Sequence, residues 1–436
     1  MKKFISIEEA LKKGKGQVDL RGWIHRTRKM KDKVFIVLRD STDVIQCVIK
    51  EDIAGKKAVK EATDALMESS LQVSGKLKQD DRAPGGAELV VGKLKFVHFS
   101  EIFPIQKDHS PEFLLDVRHL WLRSRKMTAI LKIRSVVTGA IHEFFRSRGY
   151  HEFTPPIFTS AACEGGPTLF EVKYFDKIIY LTQSWQLYAE AAIFSLEKVY
   201  DVSPTFRSEK SSTARHLAEF WMAEMEAAWM DYKECSEVAK DEVQFIVQQV
   251  LKKCRKELEI LGRDIKKLQI AAKKKYPTIT YTKALKLLKE KRGLDVKWGK
   301  DLRTVEEKEL MELFDTPVMV THYPKEIMAF YKPIDAKDKE APRPVCKCFD
   351  MIGPEGYGEL VGGSERETDI KALEKSLKAE GQKLEDYKFY LDLRKYGSVK
   401  HSGYGLGVER LVAWICGIDS IKDSIPFPRT VDRSEP

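Results

Sequence analysis

The sequence predicts an α+β chain in two parts, a small five-stranded barrel followed by a larger domain in which helices and strands alternate. Two observations predict it. At 436 residues the chain exceeds what one ordinary core serves. Its patterning also changes along its length: short runs of alternating apolar and polar residues fill 17–97, and helical periodicity mixed with strands takes over from about Lys126. The expected boundaries are 1–103 for the barrel, 104–125 for a hinge carrying Pro104 and Pro111, and 126–436 for the large domain, with a helical insertion at about 235–300.

Each element has a local reason. Val18–Ile24, Lys33–Asp40 and Val44–Ile49 read as strands, and a helix follows near 57–67. Arg82-Ala83-Pro84-Gly85-Gly86 is a turn leading into Ala87–Val91. About five strands and one helix describe a Greek-key barrel of the OB type. In the large domain an amphipathic helix is expected near 129–147. Val243, Ile246, Val247, Val250, Leu251, Cys254, Leu258 and Leu261 recur at helical spacing, with Gly262 as the stop.

Composition narrows the function classes. Hydrophobic residues make up 43% and charged residues 33%, the balance of a globular protein and not of a disordered one. A formal net charge of +10 suits an anionic partner such as nucleic acid, and it also serves solubility. The seven Cys are odd in number and irregular in spacing, so reduced thiols and a cytoplasmic location are expected. Cys346-Lys347-Cys348 lacks the second pair that a zinc site wants. No long apolar run follows Met1-Lys2-Lys3-Phe4, so neither a signal peptide nor a membrane span is expected.

The barrel carries basic and aromatic residues interleaved: Arg21, Trp23, His25, Arg26, Arg28, Phe35, Arg39 and Gln46. Cations neutralise phosphates and an exposed ring stacks an unpaired base. Trp23 is expected in the core and Phe35 on the surface as the stacking ring. Arg21-Gly22-Trp23-Ile24, Phe35, Leu38-Arg39-Asp40 and Gln46 together resemble the anticodon-binding domain of the aspartyl/asparaginyl/lysyl group of class II aminoacyl-tRNA synthetases. The resemblance implies that Phe35 stacks on the middle anticodon base, that Gln46 contacts it, and that Arg26 and Arg28 lie beside them.

Three stretches of the large domain extend the likeness. Glu152-Phe153-Thr154-Pro155-Pro156-Ile157 resembles motif 1 of class II, which implies a homodimer. Arg207 and Glu209 flank Ser208, so on a strand both would point to one face, and a guanidinium fork suits a phosphate. With His216 and Phe220 they resemble motif 2, which implies that Arg207 holds the α-phosphate of ATP, Glu209 helps place ATP, His216 lies near the phosphates and Phe220 stacks on adenine. Gly403-Tyr404-Gly405-Leu406-Gly407 puts three glycines at alternate positions, where another group can approach a strand closely. Followed by Glu409-Arg410 it resembles motif 3, which gives Arg410 the γ-phosphate. Asp350 and Glu359 match the acids that hold Mg²⁺ in the family, and Glu359 is also expected near ATP. The implied domain is a class II catalytic domain, an antiparallel sheet flanked by helices, with Arg207 and Arg410 as its catalytic residues.

Further resemblances bear on the amino acid. Glu164-Gly165-Gly166-Pro167 resembles a loop that closes over it, with Glu164 on its ammonium group. Ser184, Gln186 and Ala189 form a second wall, Glu224 another, and Arg366 matches the Arg that grips the side chain. Aspartyl members carry a Lys where this chain has Ala189. A buried substrate carboxylate without that partner costs several kcal/mol, whereas an amide has no such need. The sequence therefore resembles the asparaginyl branch, of the archaeal type, which implies asparagine, ATP and tRNA(Asn) as substrates. The alternatives are an aspartyl enzyme, including one that charges both tRNAs, a tRNA-independent paralogue, and a single-strand-binding protein with a degenerate large domain.

Overall fold

The computed structural model of the chain describes residues 3–105, 109–163, 169–210, 213, 215–336 and 340–436. It divides into two compact units, Met1–Leu115 and Asp116–Pro436.

The first unit is a closed barrel of β1 (Gly16–Lys29), β2 (Lys33–Arg39), β3 (Val44–Lys50), β4 (Ser70–Gln79) and β5 (Ala87–His98), in the order β1-β2-β3-β5-β4. Alternation builds it: Leu20, Ile24, Ile36, Leu38, Ile45, Cys47 and Leu89 point inward into one apolar cluster, which Ala62 of the helix Lys56–Asp64 joins. Trp23 departs from its expected place. Val18, Leu20 and Ile24 take the inward positions of β1, so Trp23 falls on the outer face with Arg21. It is 44% exposed, with the Arg39 guanidinium 5.6 Å from its ring centre.

The second unit is built on an eight-stranded sheet. In chain order its strands, and those of a three-stranded sheet beside it, are β6 (His151–Glu152), β7 (Phe158–Thr159), β8 (Glu171–Tyr174), β9 (Lys177–Leu181), β10 (Lys198–Phe206), β11 (Glu219–Ala228), β12 (Thr278–Thr280), β13 (Val318–Thr321), β14 (Cys348–Gly353), β15 (Gly358–Glu365) and β16 (His401–Gly407). The large sheet runs β12-β13-β14-β15-β16-β11-β10-β6, and the small one β7-β9-β8. Six consecutive strands, β13 to β10, are antiparallel, and only the outermost pairs are parallel. Helices Arg125–Ser147, Tyr232–Lys253 and Val408–Cys416 pack their apolar stripes against the sheet: Ile133, Val137 and Ile141 with Val243, Ile246 and Val250, and Leu411 and Val412 with Met225, Met351, Val361 and Leu406.

Two local expectations change. The helical run through Leu261 is two helices, because the chain leaves helical geometry at Cys254 (φ −127°) and restarts as Arg255–Ile260. Gly262 then supplies the positive φ of 69° that ends it. And β10 ends at Phe206, so Arg207 and Glu209 lie in the loop beyond it and not on a strand. Among the described residues no helix is long and apolar enough to cross a membrane.

Candidate active site

The helices Arg125–Ser147, Tyr232–Lys253 and Val408–Cys416 cover one face of the large sheet, and cavities open on the other where β10, β11, β15 and β16 meet. The first cavity is lined by Arg207, Glu209, Arg215, His216, Phe220, Glu359, Gly407 and Arg410, among others. Backbone pairing sets Arg207: its N–H donates to the Ala218 carbonyl, which closes the loop between β10 and β11. The Arg207 guanidinium lies 5.5 Å from the Phe220 ring centre, so a cation and an aromatic face border the same space. Arg410 starts from the first turn of Val408–Cys416 and donates to the Glu359 carbonyl. Its neighbour Glu409 is buried, paired with Arg134 at 2.7 Å, and accepts from the Trp221 N–H at 2.9 Å. That anchor fixes the helix start from which Arg410 extends. Burial first, and then Arg410, hold the His216 imidazole below its usual range, so it enters as a neutral group.

The second cavity adjoins the first and shares Arg207, Met222, Glu359 and Gly405 with it. Its remaining lining includes Ser184, Gln186, Glu224, Asp301, Glu307, Tyr331, Lys332, Asp350 and Arg366. One side is acidic. Asp350 of β14 and Glu359 of β15 converge over Gly362, where an added Cβ would lie 2.5 Å from Glu359 Oε1 and 3.5 Å from Asp350 Oδ1. Burial, and then the facing Glu359, hold the Asp350 carboxyl well above the usual carboxylate range. The same two causes push Glu307 up to about 7 and raise Asp301. Oxygen donors crowded together at a cost in repulsion fit a hard divalent cation, which would relieve that cost.

The other side holds the amide- and guanidinium-bearing groups. Glu224 accepts from the Ser184 hydroxyl at 2.6 Å and from the Trp185 N–H at 3.0 Å, which locks the segment before the helix Gln186–Leu196 against β11. Behind it, Arg366 is buried and donates to Glu226 from Nε at 3.1 Å and Nη2 at 2.8 Å, and to Ser364 from Nη1 at 2.9 Å. Glu190 is wholly buried. It accepts from Arg394 at 2.5 Å, Tyr390 at 2.8 Å and Gln186 Nε2 at 2.9 Å, and meets His401 Nε2 at 2.9 Å. Burial acts to raise its pKa, but Arg394 and His401 outweigh burial and hold it well below the usual carboxylate range. Glu190, Glu226 and His401 bring ligand atoms within 4.8 Å of one another. Arg366 and Arg394 already neutralise the carboxylates, so this group reads as an ion-pair cluster.

The structure thus gathers Arg207, Glu209, His216, Phe220, Glu359 and Arg410 around one cavity, and Ser184, Gln186, Glu224, Asp350, Glu359 and Arg366 around its neighbour. Ala189 is placed differently. It is fully buried in an apolar cluster with Trp185, Ile193, Val199 and Ala228 and lines neither cavity. Glu164 lies outside the described residues. Cys346 and Cys348 are buried, and burial pushes their thiols up to about 11 and about 12. Sequence reasoning did not single out Arg215, Asp301, Glu307, Lys332 or the Glu190–Arg394–His401 cluster. Most of these residues lie far apart in the chain, on helices, loops and β16, and tertiary packing brings them together. Arg215 alone had a local signal, as the neighbour of His216.

On the barrel, Phe35 faces outward, with Arg28 directly across on β1 and its guanidinium 4.7 Å from the ring centre. Arg26 pairs with Val37, and Val37 pairs with Gln46 on β3. Gln46 Nε2 donates to Glu88 at 3.2 Å. A ring, two guanidinium groups and a carboxamide therefore share one outer face, the set of groups that grips unpaired bases and their phosphates.

Comparison with known proteins bears on both units. Residues 110–431 match the family model of class II tRNA synthetases (D, K and N), and residues 18–97 match that of the OB-fold nucleic acid binding domain. The asparagine–tRNA ligase of Thermococcus kodakarensis is 48% identical over 420 residues, 96% of each chain. That of Pyrococcus abyssi is 47% identical over 423 residues, again 96% of each. Among solved structures, asparaginyl-tRNA synthetase from Pyrococcus horikoshii complexed with asparaginyl-adenylate superposes with a TM-score of 0.95 at 44% identity over the whole of both chains. The Entamoeba histolytica asparaginyl-tRNA synthetase in complex with asparaginyl-adenylate gives 0.84 at 29% identity over 96% of each.

Proposed function

The chain belongs to the class II tRNA synthetases (D, K and N), and from that membership we propose that it is an asparagine–tRNA ligase, activating asparagine with ATP and transferring it to tRNA(Asn). The observation that carries the proposal is the junction of two cavities at Arg207, one bordered by cations and an aromatic ring, the other by amide and guanidinium groups.

The reaction follows from that junction. The asparagine carboxylate attacks the α-phosphorus of ATP, an O–P bond forms, the bond to the β-phosphate oxygen breaks, and pyrophosphate leaves. The nucleophile is already ionised, so no general base is needed. Arg207, shared by the two cavities, neutralises charge that builds on the α-phosphoryl oxygens, and Arg410 neutralises the far phosphate. Phe220 stacks on adenine, Glu209 and neutral His216 help hold the nucleotide, and Ser184, Gln186, Glu224 and Arg366 fix the amino acid for in-line attack. Asp350 and Glu359 would hold Mg²⁺, which when bound supplies further charge neutralisation on the phosphates. In the second step a terminal tRNA hydroxyl attacks the acyl carbon and AMP leaves. Phe35, Gln46, Arg26 and Arg28 read the anticodon. A second copy of the chain covers the exposed apolar residues Ile157, Phe158 and Phe175.

Amino-acid-dependent pyrophosphate exchange, followed by charging of purified tRNA with asparagine and with aspartate, tests the proposal. Asparagine is expected to exceed aspartate in both assays. Aspartate ahead of asparagine assigns the chain to the aspartyl reading instead. Sedimentation at micromolar concentration should show a dimer, and a monomer there removes that part of the proposal.

A further inference from the structure

We propose that Glu190 is a positioning residue that sets the choice between asparagine and aspartate, by fixing the orientation of Gln186 and by withholding positive charge from the wall behind Arg366. The inference rests on the reading of the site as one that activates asparagine.

Glu190 itself lines neither of the two cavities, but two of its neighbours line the second. Gln186 lines the second cavity, and its Nε2 donates to Glu190 at 2.9 Å. A carboxamide whose nitrogen faces a carboxylate leaves its oxygen for the rest of its surroundings. Among the described residues, the donor at that oxygen is the weak Cys163 thiol at 3.9 Å. Gln186 therefore offers the substrate an acceptor, which suits an N–H donor and repels a carboxylate oxygen.

The second neighbour is Arg366. Its guanidinium carries the bidentate contact to Glu226 and has Glu190 Oε1 at 3.9 Å. A side-chain amide that accepts one of its remaining N–H groups adds no charge. A side-chain carboxylate adds a third negative charge around a cation already flanked by two. On its far side Glu190 is ion-paired with Arg394 at 2.5 Å and meets His401 Nε2 at 2.9 Å. Removing its charge therefore adds one positive charge to this buried cluster, where interactions are poorly screened. That change favours an acidic substrate.

The test is pyrophosphate exchange with each amino acid on Glu190→Gln, Glu190→Asp and the unmodified enzyme. In Glu190→Gln, which keeps the shape and loses the charge, the ratio of kcat/KM for asparagine over aspartate is expected to fall at least tenfold, with KM for ATP changed less than threefold. Glu190→Asp keeps the charge and shortens the arm that fixes Gln186, so it should lose activity with both amino acids and shift the ratio less than Glu190→Gln does. A purely structural Glu190 predicts the reverse order, with the shortened variant hit harder and the ratio unmoved in both, and that result overturns the inference. If Glu190→Gln does not fold, Arg394→Met carries the test. It removes a positive charge from the same cluster and should raise the ratio at least threefold, and an unchanged or lower ratio counts against the proposal. An unmodified enzyme that prefers aspartate would instead refute the asparagine reading on which this rests.

Discussion

Glu242 shows how one buried carboxyl writes its environment into stability. It sits on the helix Tyr232–Lys253 with no exposure, its Oε2 accepts from the Tyr404 hydroxyl at 2.6 Å, and its Oε1 has no hydrogen-bond partner among the described residues. Burial pushes its pKa from 4.5 up to about 8. Between those values the folded protein keeps a proton that the unfolded chain releases, so unfolding sheds a proton and stability falls as pH rises through that window. Glu242→Gln keeps the shape and the contact to Tyr404 but does not titrate. We predict that it melts higher than the unmodified enzyme at pH 8, by on the order of a few kcal/mol in stability, and that the gain shrinks toward pH 5. Thermal or denaturant melts at the two pH values read this directly. An equal effect at both would show that Glu242 is not the titrating group. Tyr404 also lines the second cavity, so the same substitution asks whether that wall tolerates a neutral partner.

At the scale of an element, β16 illustrates both what the sequence discloses and where it stops. Three glycines at alternate positions predict a close approach to the strand, and the packing separates their roles. A Cβ on Gly403 would collide with the Met225 carbonyl oxygen and with the Glu226 carboxylate that holds Arg366, whereas one on Gly407 would meet nothing nearer than Arg410 Cβ at 3.8 Å. Gly403→Ala is therefore expected to cost about 1–3 kcal/mol as overpacking against backbone and to raise KM for asparagine more than KM for ATP. Gly407→Ala should leave the melting temperature nearly unchanged. Matched melts of the two variants decide it, and equal effects would mean that the strand yields where the structure says it cannot. The barrel was legible in the same way, because one buried face forces a period of two. Trp23 was expected in the core, but its parity, opposite to Leu20 and Ile24, puts it outside. The loop position of Arg207 could not be read, since where β10 stops depends on its pairing with β11. The Glu190, Arg394 and His401 cluster was hidden for a stronger reason. Three separate elements contribute one polar group each, and no local pattern marks a buried carboxylate that only its partners make tolerable.

At the scale of the whole molecule, the proposed function divides the labour between the two compact units: it places activation in residues of Asp116–Pro436 and the grip on unpaired bases in Met1–Leu115. Amino-acid activation needs no tRNA, whereas charging needs both, so a change confined to the barrel face should separate the two steps. Phe35 is the residue for this test, because its ring lies on the outer face of β2 between Arg28 and Lys33, with guanidinium and ammonium groups 4.7 and 5.5 Å from its centre, and it takes no part in the barrel core. Base stacking of the kind proposed is worth about 1–3 kcal/mol by alanine substitution. Phe35→Ala should therefore lower kcat/KM for tRNA charging by roughly ten- to a hundredfold and leave asparagine-dependent pyrophosphate exchange and the melting temperature as they were. Gln46→Ala should follow it with a smaller loss, because Gln46 contributes a hydrogen bond and no stacked ring. Exchange that drops in step with charging would mean that the barrel supports the catalytic unit structurally, and unchanged charging would place the anticodon contacts elsewhere on the chain. Separation of the two rates is the outcome expected of a barrel that packs an apolar cluster of its own.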